Sequence, residues 1–368
     1  MDKKILIFHP YLAPYRIDLY NKLSEFYKVK VILTASRKEI ATLGFDLDYI
    51  NEQAKFEYEY TQEGFYFGRH LISLVYAKII SAFRPNFIIA HELGVNTLFS
   101  ILLKPFVKYQ LWVTVDDSPK MINNYGRVRK ILQHFVVSFS EVLLVVHPKV
   151  QDSLSTKYGS STKCNFIYFP IIQNDRHLEL KLKKSHEESM NLINTYDLAQ
   201  KTVFLFVGRL EPVKSPELLL QAFSEIDYTN SILVYVGDGS IKDDLKNTTI
   251  SLKLNNHVLF AGKLSGSKLY AWYNVADVFV LPSMFEPFGA VVNEALVAGC
   301  HVVVSDKVGA NCLINDSNGA IFKSEDLNEL KKGLSVQSEK RYKKTAHINK
   351  MSISFDNYVE VFIKNTKN

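Results

Sequence analysis

The stretch LPSMFEPFGAVVNEALVAGCHVVV, from Leu281 to Val304, decides the fold of this chain. An apolar segment that predicts a buried strand, Val278 to Leu281, leads into it, and a second such segment, His301 to Val304, ends it. Between the two strands, the sequence predicts a short apolar helix that begins near Phe288 and stops at Gly299. A strand, a helix and a strand of this size predict a βαβ crossover in a parallel sheet.

Glu286 and Glu294 are the two carboxylates of this stretch. Ligands of parallel α/β sheets bind beyond the carboxyl ends of the strands, and Glu286 follows such an end. A helix that begins near Phe288 would offer its first N–H groups to a phosphate, with Gly289 allowing close approach. Glu294 would lie about two turns along, where a carboxylate can accept two ribose hydroxyls. Solvated glutamates are the alternative, but the apolar neighbours of Glu294 argue against it.

Length and composition favour two packed domains, because the chain has 368 residues and 47% of them are hydrophobic. The first apolar run, Ile5 to Phe8, is too short for a secretory signal, and no run reaches the length of a membrane span. The three cysteines show no CxxC spacing, which favours reduced thiols and argues against a zinc site. We therefore expect a cytoplasmic protein.

The net charge of +6 lies entirely in the first half. Residues 1–172 hold 21 Lys and Arg against 15 Asp and Glu, whereas residues 173–368 hold 23 of each. A basic half can face nucleic acid, an anionic membrane or a phosphorylated acceptor, and ordinary solvated faces are an equal alternative. The sequence has no recognised nucleic-acid-binding motif, so we expect no nucleic-acid partner.

The first half begins in a Rossmann-like way, with a strand (Lys4 to Phe8), a loop with two prolines, a helix and a second strand (Val29 to Leu33). The first loop lacks the G-x-G-x-x-G of dinucleotide binders, which argues against a nicotinamide cofactor. Later strands deliver His91 and then Asp116-Asp117 to their carboxyl ends. The helices predicted in this half include Phe65 to Phe83, Leu93 to Leu103 and Asn124 to Phe139.

The second half repeats this α/β pattern after a polar, weakly patterned segment at 173–200. A strand ends in Gly208-Arg209, and Lys214 precedes a helix for which Ser215 is the expected N-cap and Pro216 the first residue. Two cations beside a helix N-terminus suit a diphosphate, since Arg binds bidentately and Lys as a point charge. Ordinary surface charge is the alternative, but the position at the end of a strand favours binding.

Several short motifs of the second half occur in the order of a known family. They are Gly208-Arg209, Lys214-Ser215, Gly237-Asp238-Gly239, Phe260-x-Gly262, Ala276-Asp277-Val278, Pro282-Ser283, Glu286-Pro287-Phe288-Gly289, Glu294-Ala295 and Gly299. Over roughly residues 201–323, the chain resembles the donor domain of retaining family-4 glycosyltransferases, which have the GT-B fold. The first half matches in outline, and its Pro14-Tyr15-Arg16 loop is similar to a branch that builds bacterial surface polysaccharides.

The repeated βα units and the resemblance imply an α/β protein of GT-B type, with two Rossmann-like, doubly wound domains facing a cleft. The expected division has four parts. They are an N-terminal acceptor-binding domain (1–172), an interdomain segment (173–200), a C-terminal nucleotide-sugar donor domain (201–352) and a C-terminal helix packing back toward the N-terminal domain (353–368).

The resemblance also implies roles for the donor-site residues. Gly208-Arg209 and Lys214 would bind the diphosphate of a nucleotide-sugar, and the two cations would stabilise the departing phosphate. Glu294 would hold the ribose hydroxyls. Glu286, with the backbone of Phe288-Gly289-Ala290, would contact the donor sugar and phosphate, without acting as a nucleophile.

Asp116 stands where many relatives carry an active-site histidine. It is either a base or acceptor-orienting group, or merely a helix or turn cap. Arg16, His91 and Asp117 are the acceptor-binding candidates. Arg16 could bind the diphosphate instead, and for both Arg16 and His91 a structural role is the alternative. The segment Pro10 to Arg16 replaces the glycine pair that many relatives have in this loop.

The expected function is therefore retaining transfer of a hexose-type sugar, without a metal, from a UDP- or GDP-linked donor. The sugar would be transferred to a hydroxyl group of a glycan or of a lipid-diphosphate-linked acceptor in cell-surface polysaccharide assembly. A sugar-nucleotide epimerase of GT-B fold and an inactive sugar-nucleotide-binding scaffold are the alternatives.

Membrane contact is expected on the basic first half. The helix predicted at Asn124 to Phe139 is cationic near its start, and further lysines and aromatic residues precede it. Such a surface suits the anionic inner face of the cell membrane, and a soluble amphipathic helix packed in its domain is the alternative. The cations concerned are Lys104, Lys108, Arg127, Arg129 and Lys130.

Overall fold

The structure is a computed structural model that describes residues 3–35, 47–61, 64–67, 70–339 and 348–367. The chain divides into two compact units. The first comprises Met1–Ile171 together with Tyr358–Asn368, and the second comprises Ile172–Asn357. The segment 173–200 therefore lies inside the second unit, and most of the last helix belongs to the first.

Parallel strands form the centre of the first unit. Its strands are β1 (Lys4–His9), β2 (Lys28–Leu33), β3 (Glu57–Tyr60), β4 (Phe65–Phe67), β5 (His70–Ile72), β6 (Phe87–His91), β7 (Gln110–Val115), β8 (Val142–Val145) and β9 (Asn165–Tyr168). Seven of them form one parallel sheet in the order β3-β2-β1-β6-β7-β8-β9, and β4 and β5 form a separate antiparallel pair. Strand order therefore reverses at β1 and β6, as in doubly wound folds.

Helices connect these strands and cover the sheet, which explains why the central strands are apolar on both faces. The helices of this unit are Pro14–Ser24, Leu47–Gln53, Val75–Phe83, Val95–Leu103, Pro119–Asn123, Arg127–Phe139 and Pro148–Tyr158. The last helix of the chain, Phe355–Lys367, packs its Phe362 ring against Trp112 with the ring centroids 4.8 Å apart.

Two helix predictions in this unit are wrong in part. The predicted helix Phe65 to Phe83 is helical only from Val75, because its aromatic first part forms β4 and β5. The predicted helix Asn124 to Phe139 begins at Arg127, and the extended backbone of Gly126 separates it from a short helix at Pro119–Asn123.

The second unit repeats the same topology with six parallel strands. They are β10 (Thr202–Val207), β11 (Ser231–Val236), β12 (Val258–Gly262), β13 (Val278–Leu281), β14 (His301–Ser305) and β15 (Gly319–Phe322), in the order β12-β11-β10-β13-β14-β15. The predicted βαβ crossover is confirmed, since β13 and β14 pair in parallel.

Helices of the second unit lie before and between these strands. They are Asp175–Lys184, His186–Tyr196, Pro216–Ser224, Lys242–Ser251, Gly266–Val275, Val291–Val297 and Leu327–Glu339, with 3-10 turns at Pro212–Lys214 and Gly309–Leu313. Both sheets thus show the Rossmann strand order, which confirms the predicted α/β class. In the described part of the chain, no helix combines the length and the apolar character needed to span a membrane.

Candidate functional site

The centre of the second sheet, where β10 and β13 are neighbours, is the first candidate site. The chain runs from β10 to β11 on one side and from β13 to β14 on the other. The loops that follow Val207 and Leu281 therefore diverge, and such a switch point is where open α/β sheets bind ligands. Arg209, Lys214 and Glu286 all lie in these two loops.

Glycine allows the first of these loops to pack against its neighbour. A Cβ atom on Gly237 would lie 1.8 Å from the carbonyl oxygen of Gly208, and the φ of Gly237 is +153°. The amide of Leu210 donates to the carbonyl of Asp238 at 2.9 Å. These contacts explain the Gly237-Asp238-Gly239 motif, because its small residues fix the path of the chain around Arg209.

Lys214 and Glu286 form an ion pair whose side chains are 14% and 17% exposed. The two loops are joined directly beside it, since the amide of Met284 donates to the carbonyl of Val213 at 2.9 Å. The structure thus brings together two residues 72 positions apart that the sequence predicted for one site. Arg209 is exposed and has no ion-pair partner among the described residues.

Ser215 does not cap its helix as predicted. Its φ is +49°, and its side chain makes no capping hydrogen bond, although the helix does begin at Pro216. The 3-10 turn at Pro212–Lys214 ends at Ser215 and sets this conformation. A left-handed residue here turns the chain sharply between Lys214 and the helix.

The loop after Glu286 is held by the next loop of the sheet. The amide of Glu286 donates to the carbonyl of Lys307, and the amide of Gly309 donates back to the carbonyl of Glu286 at 3.0 Å. A Cβ atom on Gly309 would lie 2.0 Å from the carbonyl oxygen of Pro287. Among the described residues, the amides from Phe288 to Val291 make no backbone hydrogen bond, so they can donate to an anion.

The helix of this stretch begins later than predicted. It spans Val291–Val297, which places Glu294 in the first turn rather than two turns along. The reason is Gly289, whose φ of +94° lies outside the helical region. Glu294 is therefore closer to the N-terminal amides than the sequence suggested.

Two side chains that the sequence reasoning missed orient Glu294. The side-chain amide of Gln173 donates to Oε1 of Glu294 at 3.1 Å, and the hydroxyl of Tyr273 donates to Oε2 of Glu294 at 2.9 Å. Burial raises the pKa of Glu294, while both hydrogen bonds and the charge of Lys181 lower it. Each carboxylate oxygen can accept more than one hydrogen bond, so Glu294 retains acceptor capacity for a ligand.

A second cluster lies at the switch point of the first sheet. His9 ends β1, His91 ends the neighbouring β6 and Asp116 follows β7. One ligand atom from each lies within 4.8 Å of the others, and the two imidazole centroids are 4.3 Å apart. The sequence predicted His91 and Asp116 as site residues and missed His9, whose place at the end of β1 was the available signal.

Arg16 controls the electrostatics of this cluster. Its guanidinium donates to Oδ2 of Asp116 at 2.6 Å, and its side chain is 4% exposed. Burial alone would raise the pKa of Asp116, but the cation of Arg16 lowers it to about 2. Burial lowers the pKa of His91 to about 4 and holds that of His9 well below its usual value, so both imidazoles are neutral at pH 7.

Two imidazoles and a carboxylate are also a possible metal-ligand set. The guanidinium of Arg16 disfavours a bound metal ion. It repels a singly charged cation about 4 Å away by about 4 kcal/mol in a medium of effective dielectric constant about 20. A divalent ion would experience this repulsion twice over, and Arg16 already uses one oxygen of Asp116. The arrangement therefore suits a neutral hydrogen-bonding ligand better than a cation.

Asp117 points to a different set of partners. Its side chain is 1% exposed, and its Oδ2 accepts hydrogen bonds from the hydroxyl of Tyr125 and, at 2.7 Å, from Arg129. These bonds tie the loop after β7 to the start of the helix Arg127–Phe139. The structure thus separates the hydrogen bonds of Asp117 from those of Asp116, while Oδ1 of Asp117 is buried without a hydrogen-bond partner among the described residues. The acceptor-binding role expected for Asp117 stays a prediction.

Solved structures show which class of fold this topology represents. A structure of the Anabaena protein HepE in complex with UDP and glucose superposes with a TM-score of 0.69 over 99% of both chains, at 19% identity. Two Rossmann-like units with parallel sheets of seven and six strands, together with this likeness, define the GT-B fold.

Family models and curated relatives agree with that class. Residues 194–351 match the model described as glycosyl transferases group 1. An uncharacterized glycosyltransferase of Methanocaldococcus jannaschii is 38% identical over 146 residues, which is 39% of this chain and 37% of that relative.

A second relative extends into the first unit. It is the N-acetylgalactosamine-N,N'-diacetylbacillosaminyl-diphospho-undecaprenol 4-alpha-N-acetylgalactosaminyltransferase of Campylobacter jejuni. It is 27% identical over 281 residues, which is 71% of this chain and 72% of that relative.

The hydrogen bond from Tyr273 to Glu294 generates a testable prediction. In Tyr273→Phe, Glu294 loses a donor that stabilises its charged form, so its pKa rises further. From the sequence, we expect Glu294 to hold the ribose of a nucleotide, and a protonated Glu294 is a weaker hydrogen-bond acceptor. On that expectation, the affinity for a nucleoside diphosphate should decline as pH falls, and should begin to decline at a higher pH in the variant. Titration calorimetry across pH 5–8 measures this.

Tyr235→Phe is the matched control, because this buried tyrosine of the same unit donates to the carbonyl of Pro216 instead. Its affinity profile should overlay that of the wild type. Overlapping profiles for Tyr273→Phe and the wild type would show that Tyr273 does not set the charge of Glu294.

Proposed function

We propose that this protein is a retaining glycosyltransferase. It would move a hexose-type sugar from a nucleotide-diphosphate sugar to a hydroxyl of a glycan or lipid-linked acceptor in cell-surface polysaccharide assembly. The observation that carries the proposal is the Lys214–Glu286 pair at the switch point of the second sheet, inside the segment that matches the family.

The proposed diphosphate site consists of Arg209, Lys214 and the amides from Phe288 to Val291. The ammonium group of Lys214 forms its ion pair with the carboxylate of Glu286. A bound diphosphate can take the place of that carboxylate as the anion beside Lys214. Exposed Arg209 supplies a second cation without breaking an ion pair among the described residues. Gly208, which precedes Arg209, is included in this proposed site.

Glu294 is the proposed ligand of the ribose. Its position in the first turn of Val291–Val297 lies a few residues beyond the proposed phosphate-binding amides, which fits a ribose beside a diphosphate. Gln173 and Tyr273 fix the carboxylate before a ligand arrives, so less side-chain entropy is lost on binding. The proposed donors are UDP- or GDP-linked sugars.

In the proposed mechanism, the bond from the anomeric carbon to the donor phosphate breaks and a bond to the acceptor oxygen forms on the same face. The acceptor hydroxyl passes its proton to the departing phosphate oxygen. Arg209 and Lys214 act where negative charge develops, so they would lower the barrier as well as bind substrate. Glu286 would contact the donor sugar after Lys214 turns to the phosphate. These two cations can serve in place of a metal ion.

The first unit would hold the acceptor, with Arg16, His91 and Asp116 as the proposed contacts. The Campylobacter relative is named for a diphospho-undecaprenol-linked acceptor, and a similar lipid-linked acceptor is proposed here. Such an acceptor would place the protein on the cytoplasmic face of the membrane.

One face of the first unit suits such a membrane contact. Five large apolar side chains are exposed on the helices Val95–Leu103 and Arg127–Phe139 or just after the first of them. These are Leu102 (63% exposed), Phe106 (83%), Val128 (72%), Ile131 (68%) and Phe139 (47%). Lys108, Arg127 and Lys130 are exposed beside them, which combines apolar insertion with attraction to anionic lipid.

A transfer assay tests the proposed function. The purified protein is incubated with UDP- and GDP-hexoses and a short polyprenyl-diphosphate-linked N-acetylhexosamine, and the product is examined by NMR. The anomeric configuration of the donor should persist in the product, and transfer should survive EDTA. Lys214→Ala should lower kcat by about 100-fold or more, since it removes a charge that stabilises the leaving group.

Lys331→Ala is the control. This lysine lies on the helix Leu327–Glu339, far in sequence from Lys214, and forms an ion pair with Glu225. The kcat of this variant should equal that of the wild type. Inverted product or EDTA-sensitive transfer would refute the retaining, metal-independent mechanism, and conversion of the donor to an epimer without transfer would favour the epimerase.

Vesicle sedimentation tests the membrane face. At low salt, the wild type should bind vesicles that contain phosphatidylglycerol, and Phe106→Ser with Ile131→Ser should weaken binding at least tenfold. Burial of each such side chain contributes about 1.5–3 kcal/mol, which accounts for that loss. Ile250→Ser, at a side chain 60% exposed in the second unit, is the control. Absence of wild-type binding would exclude the membrane contact.

A further inference from the structure

His9 carries an atom that the proposed chemistry does not yet use. The imidazole is 4% exposed, and its Nε2 has no hydrogen-bond partner among the described residues. Its Nδ1 lies 2.6 Å from the carbonyl oxygen of Tyr11 and 3.4 Å from the backbone nitrogen of the same residue. A carbonyl can only accept, so the shorter of these two contacts requires the proton to be on Nδ1.

The tautomer fixed by Tyr11 has a direct consequence. With the proton on Nδ1, the neutral imidazole presents a bare lone pair at Nε2, which is a hydrogen-bond acceptor. A buried acceptor that is left unpaired is costly, so such atoms normally have a partner. The partner that suits His9 must therefore be a donor.

The groups around His9 narrow the chemistry of that donor. His91 and Asp116 bring a nitrogen and an oxygen within 4.8 Å of the His9 ligand atom, and Arg16 pairs with Asp116. The carboxylate of Asp116 is an acceptor, a ring nitrogen of His91 lies near it, and the cation of Arg16 repels other cations. A neutral molecule with several hydroxyl groups satisfies such a set, and a sugar is that kind of molecule.

The position of His9 supports a ligand rather than a packing role. β1 pairs in parallel with both β2 and β6, so His9 ends a strand at the switch point of the first sheet. Polar groups at this point of an open α/β sheet face the crevice in which ligands bind. The second unit places Gly208 and Arg209 at the equivalent end of β10.

We propose that His9 accepts, through Nε2, a hydrogen bond from a hydroxyl group of the acceptor sugar, and so helps to determine which acceptor is used. The inference rests on the proposed glycosyl transfer and adds a residue to its acceptor site. His9 is a specificity-determining residue in this scheme, and the reacting proton still goes to the donor phosphate.

Two substitutions separate this role from a structural one. Asn at position 9 keeps a donor for the Tyr11 carbonyl but has no atom at the place of Nε2. Gln reaches that place with an oxygen that can accept. His9→Asn should raise the KM for a polyprenyl-diphosphate-linked N-acetylhexosamine about tenfold, as expected for one lost hydrogen bond, and His9→Gln should restore part of it.

Nucleoside diphosphate binding distinguishes this inference from the proposed function. The Kd for UDP or GDP, whichever binds, should be the same in His9→Asn and in the wild type, because that site lies in the other unit. An unchanged acceptor KM, or an equal loss of nucleotide affinity, would overturn the role of His9. Wild-type nucleotide binding without any transfer would count against the proposed function instead.

An NMR measurement tests the tautomer of His9 without any acceptor substrate. Long-range proton–nitrogen NMR of protein labelled with 15N-histidine should show His9 protonated on Nδ1 and bare at Nε2 at pH 7. A proton on Nε2 would overturn the proposal. Addition of Zn²⁺ should leave the His9 signals unshifted, and a stoichiometric shift would identify the cluster as a metal site and overturn the hydroxyl assignment.

Discussion

The parallel pairing of β10 with β13 is the constraint on which the candidate donor site depends. After β10 the chain leads to β11 on one side, and after β13 it leads to β14 on the other side. The two loops therefore diverge and leave a crevice at the centre of the sheet. The loops are then fixed by close backbone contacts that only glycine allows, at Gly237 against Gly208 and at Gly309 against Pro287. Lys214 and Glu286 meet as a result, although 72 positions separate them.

The first unit uses the same topology for different chemistry. Its switch point holds two neutral imidazoles and a carboxylate whose charge is offset by Arg16, whereas the second holds an ammonium, an exposed guanidinium and free amides. Cations and amides suit a diphosphate, and imidazole and carboxylate acceptors suit hydroxyl groups. This difference between the units fits a donor in the second and an acceptor in the first, as proposed for the transferase.

Much of the second unit could be predicted from the sequence, because its apolar strands are short and its glycines mark the turns. The crossover from β13 to β14 and the shared site of Lys214 and Glu286 followed from such signals. The helix start at Val291 did not, because the positive φ of Gly289 is set by tertiary packing. Gln173 and His9 were missed because their roles depend on partners distant in sequence or on a tautomer.

Thermal unfolding in the presence of UDP, GDP and ADP, with Glu294→Ala alongside, tests the central claim that the second unit binds a nucleoside diphosphate. At about 100 times the Kd, a bound nucleotide adds about 2.7 kcal/mol to the free energy of unfolding, which is a readable rise in Tm. The account predicts a rise with UDP or GDP that is lost in Glu294→Ala. No rise with any of the three, or an equal rise in the variant, would contradict it.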